Sequence, residues 1–173
     1  TRASVAKLPV ENGIVGMNRE SDICQIALVE RYRGTGRVVN AFVSGFGYTK
    51  DCALASTVAH DSHHMLVVGT SKEDMALACN RLGEIGGGVV MVSGGTELAL
   101  VELPIAGLMS DERAEIVAEK AARLTEAMRE MGCTLNNAYM QHSLLALVVI
   151  PELRISDIGL IDVTRFQKVD LFV

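Results

Sequence analysis

The chain has 173 residues, is 49% hydrophobic but only 4% aromatic, and carries a formal net charge of -5. That length suits one domain with a buried aliphatic core, whereas scarce aromatics and scattered basic residues exclude a stacking platform for nucleic acid or a cationic surface for phosphates and anionic lipid. The longest apolar run, residues 144–150, falls far short of the roughly 20 residues of a membrane span.

The first element in the chain is a hairpin, with apolar runs at 21–30 and 36–44 around the glycine-bearing turn "RYRGTG". The small and β-branched stretch 52–60 comes next, then a polar cluster, then "MLVVG" at 65–69 as a short buried strand. This order puts the cluster on a loop or a strand edge.

Ser71 and Asp74 have the spacing of a capping box, and Met75, Ala78, Cys79, Leu82 and Ile85 recur at helical spacing. They predict an amphipathic helix over 72–85 ending at Gly86. "VVMV", "SGGT" and "ELALVEL" then predict a second hairpin. Ser110 is placed to cap a long helix, with Asp111 and Glu112 favourable in its first turn. Val117, Ala121, Leu124, Met128 and Met131 are its apolar stripe, and Gly132 stops it. In the tail, "LNNAYMQHSLLALVV" reads as a helix running into Pro151, and "GLIDVTRF" as a short strand. The whole is an α+β fold over residues 1–173: a mixed or antiparallel sheet built from hairpins, with two or three packed amphipathic helices, in one domain.

The densest chemistry lies at His60, Asp61, His63 and His64, three of the four histidines within five positions. Imidazole and carboxylate are the ligands of zinc, manganese and iron, and either helical or extended geometry would put His60 and His64 on one face. A hydrolytic metal centre needs three or more ligands and an orienting outer shell, and no H-E-x-x-H pattern occurs. A metal-binding set and a hydrogen-bonded structural corner are both compatible with these residues.

Other candidates have plainer readings. "LVVGTSKEDM" is a strand, turn and helix start, but Glu73 and Asp74 would repel a phosphate there. Gly86, Gly87 and Gly88 follow a helix and precede a strand, the reverse of a phosphate loop. Cys24, Cys52, Cys79 and Cys133 include no Cys-x-x-Cys and read as buried thiols of a reducing cytoplasm. Cys52 and Cys79 are nucleophile candidates only by type. The opening "TRASVAKLPVENG" has neither an initiator Met nor a targeting pattern, which suggests a segment of a longer polypeptide.

Several long strings occur in order: "LPVENG", "RGTGRVVNAFVSGFG", "AHDSHH", "LVVGTSKEDMALACNRLGEIGGGVVMV", "ELPIAGLMSDE" and "VIPELRISDIGLIDV". Together they resemble the C-terminal domain of bacterial and archaeal adenine deaminases, members of the metal-dependent amidohydrolase superfamily. The resemblance implies a parent cytoplasmic enzyme of purine catabolism that converts adenine and water to hypoxanthine and ammonia. It would use water activated by manganese, iron or zinc in an N-terminal (β/α)8 barrel. A barrel takes about 250 residues and its ligands have no counterpart here, so no catalytic residue is carried over. In that family the cluster usually reads His-Asp-Ser-His-Asn; His64 takes the last place here.

The implied role is a domain inactive alone that packs on the barrel or supports a homo-oligomer. The alternatives are a site of its own at His60, Asp61, His63 and His64, holding a metal or lining the parent's active-site mouth, and a module that binds a purine or another small molecule without reaction.

Overall fold

The computed structural model describes residues 1–173. Its frame is a six-stranded sheet made from β3 (Ile23–Val29), β4 (Val38–Ser44), β5 (Ala53–Ser56), β6 (Met65–Gly69), β7 (Gly88–Ser93) and β8 (Thr96–Glu102), after a small ribbon of β1 (Val10–Glu11) and β2 (Ile14–Val15). The order is β4-β3-β6-β5-β7-β8 and every neighbouring pair is antiparallel. Three hairpins thus supply the whole sheet, and the two predicted hairpins, 21–30 with 36–44 and 89–92 with 97–103, are present as β3–β4 and β7–β8.

The central strands β5 and β6 are buried at every position. Side chains alternate between faces along a strand, so such uniform burial requires a layer on each side. One layer is α1 (Lys72–Glu84), whose Met75, Ala78 and Leu82 pack against Ala53, Ala55, Val67 and Val90. On the other face, Leu54, Leu66, Val68 and Met91 meet Leu124, Ala127 and Met128 of α2 (Ala114–Glu130). A short α3 (Ala138–Ser143) and the antiparallel ribbon of β9 (Leu153–Ser156), β10 (Gly159–Asp162) and β11 (Gln167–Val169) complete that side. This is the α+β architecture expected, with an antiparallel sheet and three helices. No helix is long and apolar enough to cross a membrane.

Ser71 caps α1 by accepting the Asp74 N–H at 3.2 Å. The Asp74 carboxylate, 2% exposed, turns away from the helix and accepts the Gly94 and Gly95 N–H groups at 3.1 and 2.8 Å. One half of the capping box is therefore spent on the β7–β8 turn, whose two glycines both have positive φ, +56° and +76°, as a two-residue type I′ hairpin requires.

Two helix boundaries differ from expectation. The long helix begins at Ala114 with no side-chain cap, because the Ser110 hydroxyl accepts the Glu112 N–H two residues on at 3.2 Å; such local bonding competes with helix initiation. Ala121 lies exposed, and the buried stripe is confined to the second half of α2. The tail helix ends in a 3₁₀ turn at Leu144–Ala146 and leaves the helical region at Leu147, ψ 91°. The β-branched Val148, Val149 and Ile150 ahead of Pro151 account for the early stop.

Candidate functional site

At one end of the sheet, four connections meet. Register pairs Val29 with Met65, Ser56 with both Leu66 and Val89, and Gly88 with Glu102. The segments that leave β3, join β5 to β6, precede β7 and follow β8 therefore converge, and the histidine cluster occupies the β5–β6 connection.

Two side chains tie this corner together. Arg31 donates from Nε to the His63 carbonyl at 2.6 Å and from Nη2 to the Ala106 carbonyl at 2.7 Å. The buried Thr57 hydroxyl donates to the Gly107 carbonyl at 2.6 Å and accepts the Gly88 N–H at 2.8 Å. Gly87 fits here only because it lacks a side chain: a Cβ would stand 2.5 Å from the Gly107 Cα and 2.9 Å from Thr57 Oγ1. The glycine triplet thus ends α1 and lets two backbones touch, and no phosphate cradle is needed to explain it.

The cluster residues take different positions. His60 is half-buried; its N–H donates to the Ser143 carbonyl at 3.1 Å and its Nδ1 is buried without a partner. Asp61 and Ser62 face solvent. His63 has φ 51°, and its Nδ1 accepts the Ala59 N–H at 3.3 Å. Its ring centroid lies 5.4 Å from that of His60. Burial, helped by the His60 charge, pushes the His63 imidazole below its ordinary pKa, with Asp61 opposing. His64 is 7% exposed and turns the other way, with its ring 5.0 Å from Tyr32 and its Nδ1 also buried and unpartnered. His60 and His63 are thus brought together and His64 is set apart. No three His, Cys, Asp or Glu side chains are arranged to hold a metal ion.

His142 does not join them. It is fully buried and edge-on to Phe46 at 6.5 Å. Burial pushes its pKa down to about 4, so the ring is neutral near pH 7. Burial likewise pushes the Cys52 and Cys79 thiols up to about 12, which keeps them protonated and unsuited to nucleophilic attack. Glu112 lies with Lys120, whose Nζ also reaches Glu102 at 2.6 Å.

Sequence reasoning missed Arg31, Tyr32 and Thr57. Tyr32 Oη lies 2.7 and 2.9 Å from the Ser62 and His63 carbonyls, and the Arg31 guanidinium stacks 4.7 Å from its ring centroid. The available signal was one aromatic between two arginines in a chain with few aromatics. Beside His64 a polar cavity of about 310 Å³ is lined by Glu30, Tyr32, Arg33, Arg37 and Asp157. Desolvation opposes ionisation of Glu30, yet N–H donors from Arg33, Thr35 and Tyr32 hold its carboxyl down to about 2.

Residues 1–167 match the family described as the adenine deaminase C-terminal domain. The chain belongs to that family. Among curated relatives, this adenine deaminase C-terminal domain is 78% identical, over its full 173 residues, to an adenine deaminase from Mesorhizobium japonicum. It is 74% identical, again over its full length, to adenine deaminase 3 from Rhizobium meliloti. An adenine deaminase of Moorella thermoacetica is 48% identical over 171 residues. The chain spans 29% of the length of the first two relatives and 28% of the third. In this domain the histidine corner is a braced junction of four connections with a pair of adjacent imidazoles at its surface.

Proposed function

We propose that this chain serves as the C-terminal domain of a metal-dependent adenine deaminase whose reaction, adenine and water to hypoxanthine and ammonia, is carried out by residues outside it. The observation that carries this reading is the match over residues 1–167 to a family defined as that domain, with less than a third of the relatives' length covered. Its role is structural: it packs against an N-terminal amidohydrolase barrel and supports a homo-oligomer in the cytoplasm. Two helical and ribbon layers around one sheet suit a rigid supporting body, and the protonated buried thiols supply no nucleophile. The test is ammonia release from adenine by the purified 173-residue chain supplied with manganese, iron or zinc. None is expected; turnover by this chain would overturn the reading.

A second reading is favoured by one observation: His60 and His63 are neighbours, with ring centroids 5.4 Å apart. Two imidazoles, with Asp61 exposed beside them, form half of a ligand set that residues of the parent's active-site mouth would complete. The His64 side of the loop instead offers its polar cavity to a small molecule. Elemental analysis of a full-length enzyme carrying this chain, against a His60→Ala/His63→Ala control, separates these. Metal lost in the control supports the half-site, and unchanged metal content removes it.

A further inference from the structure

We infer that the 105–109 loop and the adjoining His60 to His63 turn form the surface by which this domain docks onto the part of an adenine deaminase polypeptide that lies outside these 173 residues. The inference rests on the domain role proposed above and assigns it a specific face.

Three observations converge on that face. First, apolar side chains stand in the open: Ile105 is 45% exposed, Leu108 36%, Met109 57% and Tyr32 56%. A contiguous group of this kind marks an interaction site, whereas single exposed apolar residues need no explanation. Ile105, Leu108 and Met109 share one five-residue loop closed by the Ile105–Met109 bridge, and the Arg31 guanidinium beside the Tyr32 ring joins that loop to the His63 turn. Phe166 and Phe172 are more exposed still, but they sit on a turn and near the chain end.

Second, the backbone of the face is fixed. His63 and Ala106 are held at φ 51° and 58°, and Ile105 and Met109 close a bridge across the loop. Non-glycine residues keep such angles only where the surroundings over-determine them, and they gather at functional sites. Here Thr57 and Arg31 do the holding. A surface already ordered loses little conformational freedom when it is covered.

Third, the face has a polar rim. Asp61 and Ser62 of the adjoining turn lie exposed beside the apolar group. An apolar centre bordered by exposed polar groups is the anatomy of a protein interface. The occupant is the remainder of the same polypeptide, because most of the length of each matched relative lies beyond the part shared with this chain.

The test is hydroxyl-radical footprinting read by mass spectrometry, in which an exposed Met109 is oxidised readily. Two samples are compared: this chain alone, and the Mesorhizobium adenine deaminase with its matching segment replaced by this chain. Met109 should be labelled several-fold more slowly in the full-length protein, with Phe166 equal in both. Equal labelling of Met109 together with protection elsewhere on the segment would discard this face and leave the domain role standing. Protection nowhere on the segment would overturn both. Protection of Met109 in the isolated chain that grows with its concentration would make the occupant a second copy and overturn the assignment.

Discussion

The Arg31 side chain holds the carbonyl of His63 at 2.6 Å while the same guanidinium reaches Ala106 at 2.7 Å, across 75 positions of sequence. Two loops that share no local pattern are thereby made one surface. Replacing Arg31 with Met removes both bonds, but the His63 carbonyl keeps Tyr32 Oη at 2.9 Å and Ala106 is exposed to water, so the loss should be about 0.5–1.5 kcal/mol. Lysine cannot restore the pair, because a single ammonium lacks the planar fork. Urea unfolding and amide exchange at 59–64 and 103–109 check this. An Arg31→Lys chain as stable and as protected as the parent would contradict it.

The Asp74 carboxylate makes a second long connection, from the first turn of α1 to the Gly94–Gly95 turn. Asp74→Ala should destabilise the chain by about 1–3 kcal/mol, since both turn N–H groups lose their acceptor. Ser71→Ala removes the helix cap alone and should cost about 1 kcal/mol. Denaturant midpoints measure both. A loss for Asp74→Ala within the usual scatter of surface substitutions would mean that the turn stands by itself.

Glycines predict effects of opposite sign. Gly87→Ala would drive a Cβ into the Gly107 backbone at φ +127°, with a loss of about 1–3 kcal/mol. Gly83 lies exposed in α1 with nothing near its absent Cβ, so Gly83→Ala should gain about 0.5–1 kcal/mol. Thermal melts of the two variants should move in opposite directions. A Gly87→Ala chain that melts no lower than the parent would refute the close contact between residues 87 and 107.

His142 sets a pH dependence. Its pKa falls from 6.5 to about 4 on burial, so between those values the unfolded chain binds the extra proton and acid favours unfolding. Its contribution is complete above pH 6.5 and is lost as pH falls toward 4, about 3 kcal/mol in all. His63, pushed the same way by burial, adds to the trend in the same direction. Unfolding free energies from pH 7 to pH 4 should slope less in His142→Leu than in the parent. An unchanged slope would place the titration elsewhere.

What the sequence made legible was local. The β7–β8 hairpin is announced by Gly94–Gly95, α1 by Ser71 and its apolar spacing, and the β3–β4 pair by its turn. The β1–β2 ribbon carries an equally clear signal in Asn12–Gly13 that went unread because its strands are only two residues long. β9 and β11 were hidden for a related reason, since short half-exposed strands have no decisive periodicity. The start of α2 was misplaced because Ser110 has a nearer donor in Glu112. At the corner, clustering drew attention to His60, Asp61, His63 and His64, yet the residues that shape it act from afar. Thr57 reaches Gly107 over 50 positions, and no spacing rule connects them. Whether imidazoles converge or diverge depends on one left-handed residue, His63, which turns His64 toward Tyr32.

The central claim is that this chain completes an adenine deaminase without performing the reaction, and a segment exchange tests it most directly. Ammonia release from adenine would be measured for the Mesorhizobium enzyme, for that enzyme with its matching segment replaced by this chain, and for that enzyme with the segment deleted. The account predicts turnover in the exchanged protein close to that of the parent, and its loss on deletion. Full turnover after deletion, or none after exchange despite a folded protein, would contradict it.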